Sequence, residues 1–434
     1  MTAEIAVMNK MAVALAADSA ITIRVTTDDS DEPERTKIYH SNKLFTLSKY
    51  HPIGVMIFNN AEMMNVPWET IIKVFRKQLG DIGLDHLEEY GERFIGFLNN
   101  NVDLFPEVEQ EAYLYTTLTG YLLLIKGRID KEVENITHKK GTVTSNQVRN
   151  IVTKVVRTYH GKLANLPDLS TIPVDFGQQV RRKYDAVIDK AITDVLGKFP
   201  LSTVSSRRVK QFCLNLLLKN YTEPDYSGIV VAGFGVKDIF PALVSYKLEG
   251  VINGTLRYKS FRNQKIGRGT AAAAIVPFAQ DEMVHTFMRG VDPGYQSVLD
   301  GYLTALFEKY PEDIAKGLPK LSDKEKATFI SKMKSVGQTL TQQFSTALSQ
   351  YTQQQNVDPI ISTVAFLPST DLALMAETLV NLTSFKRRVT MVAETVGGPI
   401  DVAVISKGDG FVWINRKHYF EPETNHQFFA NYFR

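Results

Sequence analysis

The strongest constraint on this chain of 434 residues is the order in which its apolar residues change period. Alternation and short apolar runs mark strands at 5–8, 12–17, 21–26, 43–47 and 54–58. An acidic segment at 27–35, between the third and fourth, reads as a solvent-facing turn. From Pro67 the spacing becomes helical: Trp68, Ile71, Ile72, Phe75 and Leu79 share one stripe, with Pro67 suited to a first turn and Gly80 to an end. Helical patterning continues, with loops, to about Tyr221. The stripe Val187, Ile188, Ala191, Ile192, Val195 and Leu196 reads as core packing rather than a cofactor box. Strand pattern returns at 228–234, 242–246 and 270–278. Asp281 then caps a helix to Arg289, Pro293-Gly294 marks a break, and helices resume to Tyr351. A polar linker is predicted at 352–356, then a helix from Thr370-Asp371 to about Arg388. Strands at 401–406 and 410–415, joined by Lys407-Gly408-Asp409, close the chain. Strands, helices, strands, helices, strands is the order of an α+β fold. It predicts a four-layer αββα sandwich, in which two facing sheets are each covered by helices. The whole of 1–434 is then one domain, with enlarged helical layers at 80–225 and 295–365.

The first twenty residues, MTAEIAVMNKMAVALAADSA, admit two readings. A secretory segment needs a positive leader, but here Glu4 precedes the apolar run and Lys10 is the only base. A buried hairpin that turns at Asn9-Lys10 and runs into Asp18 accounts for more residues. Cys213 is the only cysteine and cannot form an internal disulfide, so the compartment is read as the cytoplasm. No apolar run reaches the length of a membrane span. The formal net charge of +3 is small for a nucleic-acid surface. The basic clusters at 181–183, 207–208 and 386–388 are read as solvated helix faces. Eight histidines without a paired spacing indicate no metal site, and no cofactor is expected. The stretch Gly267-Arg268-Gly269-Thr270-Ala271-Ala272 has the look of a dinucleotide turn, but Pro277 interrupts the helix such a turn should open; it is read as an ordinary loop.

The chemistry begins at Thr2. A small second residue permits removal of the initiator methionine, and the freed α-amine, with a pKa of about 7.7–8.0, can take the proton of its own hydroxyl. Such a site also needs a cation to depress neighbouring pKa values and an acid to hold that cation. Asp18, closing the second strand, and Lys43, opening the fourth, are the candidates. The bland alternatives are a surface aspartate, a surface lysine and an ordinary second residue.

These residues and their settings, "VALAADSAIT", "SNKLFTLS", "GVMIFNNAE" and "VGGPIDVAVISKGDGFVWI", resemble proteasome β-subunits and the related bacterial ATP-dependent peptidases, members of the N-terminal-nucleophile hydrolases. The resemblance covers roughly half of the chain. It implies that Thr2 is the nucleophile, that Asp18 orients Lys43, and that Lys43 lowers the pKa of the Thr2 amine and hydroxyl. It implies further that the backbone of Thr22 pairs with an extended peptide substrate. Asn59 stands where the family has a glycine whose amide stabilises the oxyanion. Ile21, Phe45, Ile57 and Ala61 would line the first specificity pocket. The partners implied are a polypeptide or peptide-like substrate, further copies of the chain and an ATPase or unfoldase, with no nucleic acid and no membrane.

Departures from the family are equally specific. Its serine in the strand-to-helix turn is missing at Ala279-Gln280-Asp281, where Asp281 is the replacement offered. Its aspartate and serine before the paired glycines are matched only by Glu394 and Thr395, one position away. Two functions therefore stay open: a threonine peptidase or amide hydrolase working through Thr2, and a catalytically inactive scaffold that binds partners through its added helices.

Overall fold

The structure, a computed structural model, describes the chain apart from residues 1–2, 26–34, 100, 223–224, 319–321, 391–396, 419 and 433–434. It is α+β with antiparallel sheets and forms two compact units. One comprises Met1–Leu44, Ile239–Pro241 and Gln264–Arg434, the other Phe45–Asp238 and Ala242–Asn263.

The first unit is built on a five-stranded sheet in the order Ala273–Pro277, Glu4–Asn9, Ala12–Ala17, Asp401–Ser406, Gly410–Asn415, each neighbour antiparallel. Asn9 makes the opening hairpin. Its Oδ1 accepts from the amides of Met11 (2.9 Å) and Ala12 (3.3 Å), and its Nδ2 donates to the carbonyls of Val364 and Leu367. The Ala12–Ala17 strand is buried on both faces, which is why it reads as a continuous apolar run rather than an alternating one. Its small residues Ala12, Ala14 and Ala16 share a core with Ala373 and Ala376 of the helix Ser369–Val389, which small side chains allow to approach closely. A separate hairpin pairs Ala20–Val25 with Arg35–His40. The predicted turn at 27–35 lies outside the described residues up to Arg35, which opens the second of these strands.

Two helical expectations in this unit need correction. Pro293 does not break a helix but opens one, Pro293–Lys316, behind an Asp292 cap whose carboxylate accepts from the amides of Gly294 and Tyr295; the break falls at Gly290, φ 73°. The polar stretch 352–356 is no linker. The helix Asp323–Thr352 continues through a π-helical turn, Gln353–Val357, into Asp358–Val364. Glutamine is a good helix former, Asn356 donates to the Arg289 carbonyl (2.6 Å), and Pro359 sits in a first turn, where its missing amide costs least. Asp281 does occupy the cap of Glu282–Arg289, but its carboxylate makes no capping bond and stands 3.4 Å from His285.

The second unit holds a sheet in the order Thr255–Ser260, Ala242–Ile252, Ser227–Gly233, Ile53–Asn59, Leu44–Thr46. The helix Trp68–Leu79 packs on it through the five residues of the predicted stripe, all buried, and Gly80 ends it at φ 58°. The helices Glu107–Lys140, Ser145–Ala164, Phe176–Leu196 and Thr203–Leu218 enclose a second core, in which Cys213 is fully buried. Arg181, Arg182 and Arg207 are exposed and line an open concavity of about 690 Å³, as solvated faces should. The 267–272 segment is a loop that leads into a strand, not a helix. Among the described residues no helix is long and apolar enough to cross a membrane.

Candidate active site

Strand register gathers the charges. Ala17 pairs with Glu4 on one side and Asp401 on the other, so three carboxylates, with Asp18 next in the chain, converge at one end of the sheet. All three are buried, and a buried lysine, Lys43, and a partly buried one, Lys417, answer them. Lys43 Nζ lies 2.6 Å from Asp18 Oδ1 and 3.5 Å from Glu4 Oε1. Asp18 is surrounded by donors. Oδ1 also accepts from the Ala3 amide (3.0 Å), and Oδ2 accepts from the amides of Gly397 (3.1 Å) and Ala20 (3.3 Å). Four donors on one buried carboxylate fix its orientation. The Asp18 amide in turn donates to the Ala3 carbonyl (3.1 Å), locking Ala3 to Asp18 in both directions.

The second lysine, Lys417, bridges the segments that carry the first pair. Its ammonium donates to Asp401 Oδ2 (2.8 Å), Ser19 Oγ (2.6 Å) and the Ser41 carbonyl (2.8 Å). Ser19 follows Asp18, and Ser41 stands two residues before Lys43. Burial pulls the Lys417 pKa below its ordinary 10.5, the Asp401 bond and charge push it back, and Lys43 lowers it further. Lys417→Met is expected to cost about 3–5 kcal/mol, because Asp401 loses its cation while buried. Lys417→Met with Asp401→Leu should recover most of that loss in urea titrations. The pH dependence has a definite sign. The folded state binds the Lys417 proton less tightly than the unfolded state does, so this group's contribution to stability rises as pH climbs toward 10.5. Wild type should therefore gain on Lys417→Met over that range.

Of the residues predicted from sequence, Asp18 and Lys43 are brought together. Thr2, Glu394 and Thr395 lie outside the described residues. Ile21 and Thr22 lie on the Ala20–Val25 strand, whose other edge carries no strand among the described residues. Asn59, Phe45, Ile57 and Ala61 belong to the second unit, where Phe45 and Ile57 are part of the apolar core. Asn59 adopts φ 70°, the left-handed region that favours glycine and that asparagine tolerates, while its Nδ2 donates to the Tyr226 carbonyl (2.6 Å). In the 279–281 turn, Gln280 accepts from Arg387.

Sequence reasoning missed Glu4, Ser19, Asp401 and Lys417. Glu4 and Asp401 carried a signal, each being an acid at the first position of an otherwise apolar strand. Lys417 carried none, standing in the polar run Arg416-Lys417-His418. Among the described residues no cluster of His, Cys, Asp and Glu could hold a metal ion. No protein-family model matches the chain, and no curated protein matches it.

Proposed function

We propose that the chain is an N-terminal-nucleophile amide hydrolase, a threonine peptidase of the proteasome β-subunit type with a four-layer αββα core, in which Thr2 becomes the attacking residue once Met1 is removed. The observation that carries this reading is the buried Lys43–Asp18 pair, with the amide of Ala3 bound to the same carboxylate. A residue bonded to Ala3 lies one Cα step, about 3.8 Å, from it. The ammonium favours the deprotonated hydroxyl and the neutral amine. The amine takes the hydroxyl proton as Thr2 Oγ attacks the scissile carbonyl, hands it to the leaving amine as the acyl-enzyme forms, and then activates the water that hydrolyses the ester. The edge of Ala20–Val25 that carries no strand among the described residues supports an extended peptide adding as a strand. The burial of Ala12–Ala17 on both faces supports the layered core. The substrate is then polypeptide or peptide-like, the compartment the cytoplasm, and the working form an oligomer supplied by an ATPase or unfoldase.

A catalytically inactive scaffold is the second reading. It is favoured by the turn at 279–281, where Gln280 and Asp281 are engaged by Arg387 and His285 and no hydroxyl is present. Intact mass of the protein from its native host, followed by labelling with a threonine-directed epoxyketone, separates the two. The hydrolase requires loss of Met1 and one adduct that disappears in Thr2→Ala. Retained Met1, or equal labelling of both proteins, leaves the scaffold.

A further inference from the structure

The helices Pro293–Lys316 and Asp323–Thr352 form a hairpin that buries little of itself: Pro311 and Ala315 on one helix, Gly337 on the other. It is antiparallel, with Lys334 Nζ 2.6 Å from Glu312 and Ser345 Oγ donating to Asp300 (3.2 Å). The first helix displays Tyr295, Val298, Tyr302, Leu306 and Tyr310, spaced by three or four residues and so confined to one stripe. The second displays Val336, Leu340, Phe344 and Tyr351 at the same kind of spacing. All nine are 41% to 71% exposed.

The two stripes face the same way. At 100° per residue, each lies about a quarter-turn or slightly more toward lower residue numbers from the face its helix turns to the other. Between antiparallel partners, equal offsets of that sense point to one side. The Glu312–Lys334 register then sets Tyr295 level with Tyr351, Tyr302 with Phe344, Leu306 with Leu340, and Tyr310 with Val336. Four apolar rungs cross a platform about 22 Å long at 1.5 Å per residue.

We propose that this platform docks on the same platform of a second copy of this chain, making a four-helix bundle. Area is the first argument. Five rings of about 150–250 Å² each, roughly half exposed, supply about 450–700 Å² per copy before the four aliphatic residues are added, against about 800 Å² per partner in a stable interface. Charge is the second. Pro293–Lys316 carries four acids and two lysines, and Asp323–Thr352 carries two acids and four lysines. A two-fold axis parallel to the helices lays each acidic helix on the partner's basic one, antiparallel, as within the hairpin itself. Tyrosine-rich surfaces are also those that interfaces favour.

Sedimentation velocity of the full chain tests this, with Tyr302→Lys/Phe344→Lys and, independently, Leu306→Glu/Leu340→Glu. These side chains are exposed, so far-UV circular dichroism and melting should match wild type while the assembly mass falls by half. A wild-type mass of 48.8 kDa at micromolar concentration overturns the proposal. So does an assembly that both variants leave intact, or a wild-type monomer that floats with anionic vesicles, which assigns the face to a lipid surface.

Discussion

Lys43→Met is expected to abolish epoxyketone labelling at residue 2, by about 10²–10⁴-fold in rate, and to lower stability by about 3–5 kcal/mol. The two losses have one origin. The ammonium lies 2.6 Å from Asp18 and 3.5 Å from Glu4 with almost no solvent around any of them, so its removal takes a close cation away from two buried carboxylates. Lys43→Met/Asp18→Asn separates the effects. It removes one of the two buried charges while keeping the shape, and should regain much of the stability but none of the labelling. A labelling rate unchanged in the single variant would sink the catalytic role of Lys43, and an unchanged urea midpoint would sink the burial argument. Those outcomes are independent of each other.

The largest effect on stability alone is expected at Arg257. Its guanidinium pairs with the buried Glu249 and donates to the carbonyls of Leu217 (2.6 Å), Lys219 (2.9 Å) and Tyr221, collecting the chain as it leaves the helix Thr203–Leu218. Arg257→Met takes the guanidinium away from the buried Glu249 and a donor away from three carbonyls, and should cost at least about 3–5 kcal/mol. Arg257→Lys keeps the charge but offers no planar fork, so it should recover only part of the loss. A Tm for Arg257→Lys equal to wild type would mean that the fork geometry contributes nothing.

Legibility followed the simplicity of each environment. The helix Trp68–Leu79 was readable to the residue, because one face meets an apolar sheet and the other meets water. The strands Ala12–Ala17, Asp401–Ser406 and Gly410–Asn415 were equally plain, bounded by turn residues or charges. The strand Thr255–Ser260 was hidden because its inward position is Arg257, a charge buried only by virtue of partners 8 to 40 residues away. The segment 352–356 misled for the opposite reason, its glutamines being as acceptable to an exposed helix as to a loop. In the site, Asp18 and Lys43 could be singled out by their places at strand ends. Lys417 depends on the Asp401–Ala17 register and on a crossing from the last strand, and neither exists until the sheet is assembled.

The burial of Cys213 has a practical consequence. Its thiol pKa is pushed up to about 12 by the surrounding core, so at neutral pH thiolate is vanishingly scarce and maleimides find no nucleophile there. The natural chain is thus its own cysteine-silent background. A fluorophore or spin label attached through a cysteine introduced on the 293–352 hairpin should report that position alone, and distances between labels on two molecules can be read without rebuilding the interior of the protein.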